Sequence, residues 1–267
     1  MWDGQYAFEK SKIMQGDCLE KMKLIPDGSI DMILADLPYG TTACKWDTII
    51  PFEPLWEQYE RIIKDNGAIV LFGSEPFSSA LRMSNIKNYK YDWVWEKNNV
   101  VGFANAKKMV LKNIENISIF YKKLPTYNPQ GLIEINKECS NSISHTTNRD
   151  EGVSTVNGGR FKGRYNQKYT NYPRQVLRFD RPSKTIHRTQ KPVDLLKYFV
   201  RTYTNEGEVI LDNTAGSGSL GEACIEENRD FILIEKEPNY YEVIKERVGK
   251  IFENYGLDLQ PLLDERM

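Results

Sequence analysis

Two stretches of this chain put reactive side chains directly after short apolar runs. The first is Ile33-Leu34-Ala35-Asp36-Leu37-Pro38-Tyr39-Gly40. Asp36 and the backbone carbonyl of Leu37 or Pro38 offer two hydrogen-bond acceptors in one turn, which proline makes rigid. Acceptors placed this way suit an exocyclic base amine. Its lone pair is delocalised into the ring, and bonding its N–H groups localises the pair and makes the nitrogen a nucleophile. Tyr39 supplies a flat face on which a base can rest once it has left the helical stack. Such chemistry needs no metal and no covalent intermediate, only alignment of the amine with a methyl donor. The plain alternative is a capping Asp followed by a Pro-Tyr turn.

The second stretch runs from Gly207 through Asp212-Asn213-Thr214-Ala215-Gly216-Ser217-Gly218-Ser219 to Gly221. A buried strand ends in an acid and a small-residue turn that opens a helix, and glycines there let the backbone approach a ligand closely. Gly216, Gly218 and Gly221 also satisfy G-x-G-x-x-G, the dinucleotide fingerprint. In that fingerprint the first glycine follows the strand at once, whereas here Asp212 to Ala215 intervene, and a carboxylate at the strand end repels a pyrophosphate. A cationic, phosphate-free ligand such as S-adenosylmethionine fits better. Glu235, nineteen residues after Gly216, ends the next strand, where an acid can accept hydrogen bonds from both ribose hydroxyls.

These groups need a framework, and the chain has the periodicity to make one. Ser29 to Ala35 and Ala68 to Phe72 read as buried strands, and Asp92 to Trp95 and Ile117 to Tyr121 as further strands. Phe52 to Asp65 carries a helical stripe of Leu55, Tyr59, Ile62 and Ile63. Beyond Pro192, which suits a first helical position, Val193, Leu196, Val200 and Tyr203 form another stripe. Strand Glu208 to Leu211, helix Leu220 to Glu227, strand Phe231 to Ile234 and helix Pro238 to Ile251 complete the pattern. Alternating β and α elements at both ends predict an α/β fold with a doubly wound, mostly parallel sheet in a single domain over 1–267. Trp93 and Trp95 are expected in its core.

The bulk numbers narrow the class further. The chain has 267 residues and a formal net charge of −1, so any attraction to nucleic acid must be local. Four scattered cysteines and two histidines argue against a disulfide framework or a zinc site. The charged start is unlike a signal peptide, and no apolar run reaches the roughly 20 residues of a membrane span. A soluble protein of a reducing compartment is expected. Residues 125–188 differ from the rest, being loop-rich, with eleven Lys and Arg against five Asp and Glu. Within this insertion cations alternate with aromatics, including Arg160, Arg164, Tyr165, Lys168, Arg174 and Arg178. Arginine can clamp phosphates or pair with guanine, and tyrosine can stack on bases. An ordinary solvated loop remains the alternative. Lys107, Lys108, Lys112, Lys122 and Lys123 could add phosphate contacts, but read first as solvated faces.

The motifs together resemble the amino-type DNA methyltransferases, which act on N6 of adenine or N4 of cytosine, in the permuted β group. There a D-P-P-Y motif precedes the cofactor glycines. The resemblance covers residues 14 to about 248, with 125–185 matching in position alone. Asp17-Cys18-Leu19 is similar to the family's N-terminal segment, Trp95-Glu96-Lys97-Asn98 to the segment lining the target-base pocket, and His187 to Pro192 to its H-x-T-Q-K-P segment. By resemblance Asp36, Pro38 and Tyr39 are catalytic. Asp17, Cys18, Asp36, Gln190, Lys191, Asp212, Thr214, Ala215, Gly216, Ser217, Gly218, Ser219 and Glu235 hold S-adenosylmethionine, and the insertion recognises double-stranded DNA. Leu37 stands where the family has proline and keeps its carbonyl. Asp212-Asn213-Thr214-Ala215 replaces D-P-F and lacks its aromatic contact. Within the family an Asp at position 36 favours adenine, with cytosine N4 as the near alternative. A dinucleotide-dependent oxidoreductase and a non-catalytic DNA-binding protein are the distant ones. Family members are often dimers and often accompany a restriction endonuclease, so the resemblance leaves room for both. It implies a bacterial or phage-encoded cytoplasmic protein.

Overall fold

The structure, a computed structural model, describes residues 8–41, 47–140, 164–181 and 190–263. Eight strands form the main sheet: β1 (Lys12–Gln15), β2 (Ile30–Ala35), β3 (Ile63–Gly73), β4 (Tyr89–Val101), β5 (Lys112–Phe120), β8 (Val176–Arg178), β9 (Val209–Asp212) and β10 (Asp230–Glu235). Their spatial order is β1-β10-β9-β2-β3-β5-β4-β8. β5 is antiparallel to both neighbours and every other pairing is parallel, so β5 alone of the eight runs against the rest. The sheet is mostly parallel, as the alternating pattern predicts.

Alternation along β2 shows why the fold is doubly wound. Met32 and Leu34 face one hydrophobic cluster, and Ile33 and Ala35 face the other. The first cluster takes the apolar stripes of α4 (Val193–Tyr203), α5 (Ser219–Glu226) and α6 (Pro238–Tyr255). The second takes those of α1 (Cys18–Met22), α2 (Phe52–Ile62) and α3 (Phe77–Ser84). Period-2 side chains thus serve two helical layers. In α4 the residues Leu195, Leu196, Phe199, Val200 and Tyr203 are buried, each worth roughly 2 kcal/mol relative to exposure. Trp93 and Trp95 are buried as expected.

Several boundaries differ from the periodic reading. α2 stops at Ile62, because Ile63 is already extended and starts β3. Pro192 is the N-cap of α4, one place before the first helical position, and lends the extended backbone that precedes the turn. The stretch read as loop-rich also holds regular structure. Residues 129–173 form a separate compact unit, in which β6 (Ile133–Ser140) pairs antiparallel with β7 (Arg164–Thr170). Residues 174–181 return to the main unit, where β8 pairs with Val94–Glu96 of β4. β7 is mostly polar, β8 has three residues, and the alternating Ile133 and Ile135 of β6 are exposed, so no buried face marks these strands. Among the described residues no helix is long and apolar enough to cross a membrane.

Candidate active site

β2 and β9 are neighbours from which the chain departs in opposite directions, β2 toward β3 and β9 toward β10. The turns after them therefore diverge and leave a crevice at the carboxyl ends of the strands, the usual ligand position in such sheets. A cavity of about 720 Å³ opens there, lined from both turns by Asp36 to Tyr39 and Asp212 to Ser217. Asp36 and Asp212, 176 positions apart in sequence, thus share one site. The two turns are also tied directly, since the Thr214 hydroxyl donates to the Asp36 backbone carbonyl at 3.1 Å.

The glycine turn is built around acids. Gly216 and Gly218 have φ of +54° and +74°, which side chains with a Cβ adopt at a cost. The Gly216 N–H donates to Glu235 Oε2 at 2.8 Å, and the Glu237 N–H to Glu235 Oε1 at 2.8 Å. The loop amide that would cradle a phosphate is thus already given to a carboxylate, which speaks against the dinucleotide reading. Asp212 accepts from the Thr214 N–H at 3.0 Å. Burial pushes the Asp212 carboxyl up to about 8, with Asp36 and Glu235 adding to the effect, and burial likewise raises Glu235. Asp17 caps α1 through the Leu19 N–H at 3.0 Å and meets Lys236 at 3.2 Å. Beside it the Cys18 thiol is buried, and burial pushes it up. Ser217 and Ser219 are held from α6: Arg247 donates to the Ser217 carbonyl at 2.7 Å and to the Ser219 hydroxyl at 2.9 Å.

The Asp36 side of the cavity carries a chain of charges. Tyr39 donates its hydroxyl to Asp36 Oδ1 at 2.5 Å, and its ring lies 5.1 Å from that of Phe77. Lys191 is buried, donates to Asp36 Oδ2, and stands 3.3 Å from Glu115 Oε2. Lys97 pairs with the other oxygen of Glu115 and lies 5.0 Å from the Trp95 ring centroid. Burial alone would pull the Lys191 ammonium down, but Asp36 and Glu115 outweigh it and push it up. Burial would raise Glu115, but Lys191 and Lys97 outweigh that and hold it low. Burial pushes the Tyr39 phenol well up, and Asp36 adds to this, so it remains a donor.

The cavity collects Asp36, Pro38 and Tyr39 together with Asp17, Cys18, Gln190, Lys191, Asp212, Thr214, Ala215, Gly216, Ser217, Ser219 and Glu235. Gly218 lies behind this wall, packed on Ile244, where a Cβ would come within 3.2 Å. Lys191, expected beside a cofactor, lines the cavity and bridges the Asp36 carboxylate to Glu115. Glu115 and Arg247 were not expected at the site; a lone acid in the apolar β5 run is the one signal that points to Glu115. Of the expected DNA contacts, Arg160 lies outside the described residues, as do the side chains of Arg164 and Tyr165, and so does His187. Lys168, Arg174 and Arg178 are exposed. Lys168 lies over the Tyr169 ring at 5.1 Å, and Arg178 pairs with Glu96 at 2.7 Å from within β8.

An acid-lined crevice at the switch point of a doubly wound sheet, with the Asp36–Tyr39 turn opposite a glycine turn, defines an α/β protein built to bind a ligand there. The match of residues 30–246 to the N6/N4 DNA methylase family model goes further: the chain belongs to that family of amino-type DNA methyltransferases. Among relatives, Type II methyltransferase M.HinfI of Haemophilus influenzae is 27% identical, with 91% of this chain and 69% of that protein covered. DNA adenine methyltransferase YhdJ of Escherichia coli K12 is 28% identical over 88% of this chain and 82% of its own length. The fold is shared with solved structures. M1.HpyAVI in complex with SAM gives a TM-score of 0.60 at 23% identity, covering 89% of this chain and 98% of that one. The cytosine-N4-specific PvuII DNA methyltransferase gives 0.64 at 14% identity, covering 96% and 95%.

Proposed function

We propose that this protein transfers a methyl group from S-adenosylmethionine to N6 of an adenine turned out of double-stranded DNA. The observation that carries the proposal is the placing of Asp36 and Tyr39 in one cavity with the acid-lined glycine turn. S-adenosylmethionine supplies an electrophilic methyl group on a cationic sulfur. The residues present suit it: Asp17, Asp36 and Glu235 give the cavity a negative lining, Asp212 adds a buried carboxyl that can hydrogen-bond, and the amide of Gly216 is already engaged by Glu235. Asp212, with Asp17 and Glu235, would hold the cofactor.

The residues of the chain then account for the amine. Asp36 Oδ2 accepts one N–H of the base amine in place of the Lys191 ammonium, which withdraws toward Glu115. The carbonyl of Leu37 or Pro38 accepts the other N–H, so the nitrogen lone pair is free to point at the donor. Tyr39 stays bonded to Asp36 Oδ1 and fixes its plane. Adenine is favoured by Asp36 and by the adenine relative at 28% identity. Phosphate and base contacts are assigned to Arg160, Arg164, Tyr165, Lys168, Arg174 and Arg178.

The test is transfer of label from S-adenosylmethionine to mixed genomic DNA, followed by separation of the nucleosides. Label in N6-methyladenine, abolished by Asp36→Ala, is the expected result. Label in N4-methylcytosine would overturn the base assignment, and no transfer with no cofactor binding would overturn the whole reading.

A further inference from the structure

β4 is not only a wall of the site. Trp95, Lys97 and Val101 line the cavity, and β4 and β5 then continue beyond their last paired rung, Val101 with Lys112, into a tip spanning residues 102–111. Lys97 is joined to Asp36 through Glu115 and Lys191, and Val101, four residues further along β4, is the last cavity-lining residue before the tip. Residues 101–110 are all exposed. Four of them are large and apolar: Val101 at 45%, Phe103 at 69%, Met109 at 58% and Val110 at 86% exposure. Apolar groups presented to water at one projecting point call for a partner. The tip is closed by bonds from the Asn105 N–H to the Gly102 carbonyl at 2.9 Å, from the Ala106 N–H to the Phe103 carbonyl at 3.1 Å, and from the Lys108 N–H to the Asn105 carbonyl at 2.8 Å.

The charges identify that partner. No acid occurs between Lys97 and Ile114, and Lys107, Lys108 and Lys112 are exposed around the apolar point. In a chain of net charge −1 this is a local cationic surface, which suits phosphates. A base held on Asp36 leaves a gap in its duplex, and an apolar side chain inserted between base steps keeps such a gap open. We propose that the β4–β5 tip is a wedge: Phe103 and Met109 enter the stack beside the target base while Lys107, Lys108 and Lys112 hold the flanking phosphates. The proposal rests on the methyltransferase reading above.

The test uses the full chain and the duplex sequence found methylated in genomic DNA. The double variant Phe103→Ser with Met109→Ser is compared with the unaltered protein on that duplex and on one whose target lies opposite an abasic site. The expected result is a loss of about tenfold or more in kcat/KM on the intact duplex, largely restored on the loosened one. The fluorescence rise of 2-aminopurine at the target position should fall with it, while cofactor binding and thermal midpoint stay unchanged. Equal loss on both duplexes, or no loss, would overturn the wedge and leave the methyltransferase reading standing. A dimer that the double variant converts to monomer would also overturn it, since the tip would then bind a second copy. No transfer by the unaltered protein to either duplex would overturn both.

Discussion

Asp36 divides its two oxygens between a phenol and an ammonium, and only the ammonium has somewhere else to go. Glu115 is that second place, 3.3 Å from Lys191 and steadied by Lys97. Removing its charge leaves Lys191 with Asp36 as its one anionic neighbour in the chain of charges, so the amine of the base competes against a tighter ion pair. Glu115→Gln is expected to lower kcat about tenfold, a cost near 1.4 kcal/mol, with cofactor affinity unchanged. Steady-state kinetics with separate cofactor titration decide it, and a change in cofactor affinity alone would count against the bridge. Asp212 makes a different prediction. Its carboxyl ionises near about 4 when unfolded but only at about 8 when buried, so the folded state holds the proton better. That contribution to stability is whole below the unfolded value and is lost as pH rises through about 8. Asp212→Asn should therefore raise the urea midpoint of the cofactor-free protein at pH 8 and flatten its pH dependence between about 4 and 8. An unchanged pH profile would refute the assignment.

Strands and helices hold these residues through a few buried polar ties as well as apolar contact. The Trp93 indole N–H on β4 donates to Tyr203 Oη on α4 at 2.8 Å, and the Tyr91 hydroxyl is 2.8 Å from the same atom. Tyr203→Phe keeps the ring but leaves a buried indole N–H unpaired, which should cost about 1–3 kcal/mol. Denaturant unfolding should show a lower midpoint with an unchanged slope; a neutral result would mean that water replaces the hydroxyl. Elements with long apolar stripes were legible in the sequence: α4 and α6 declare themselves through residues three and four apart, β9 and β10 through apolar runs that end in an acid, and β2 through a run interrupted by Asp31 alone. α1 and α3, with five and eight residues, are too short for a stripe to repeat. β8 has three residues and draws its identity from pairing with β4, a contact no local pattern encodes. The same limit applied at the site. Asp36 and Asp212 announced themselves by ending strands, whereas the bridge through Glu115 depends on β5 lying between β3 and β4.

At the scale of the whole molecule, a protein of net charge −1 that acts on a polyanion must keep its cations apart from its acids. The main unit does the opposite around its cavity, where acids dominate, so phosphate attraction has to come from elsewhere. Two exposed cations suit that task. Lys168 lies on β7 in the unit spanning 129–173, and Arg174 lies just before β8 in the main unit. Each phosphate neutralised releases a condensed counterion, so binding weakens as salt rises, with a slope of about −0.9 per contact. Replacing both by alanine should weaken DNA binding at low salt. It should also make the plot of log affinity against log salt shallower by about two, while cofactor binding is untouched. Fluorescence anisotropy with a labelled duplex between 50 and 200 mM salt, roughly the range over which such slopes are read, measures both quantities at once. A weaker affinity with an unchanged slope would mean that these side chains support the fold of their segments and do not meet phosphates. An unchanged affinity would move the phosphate contacts to the remaining cations, beginning with Arg178, whose pairing with Glu96 leaves it 82% exposed.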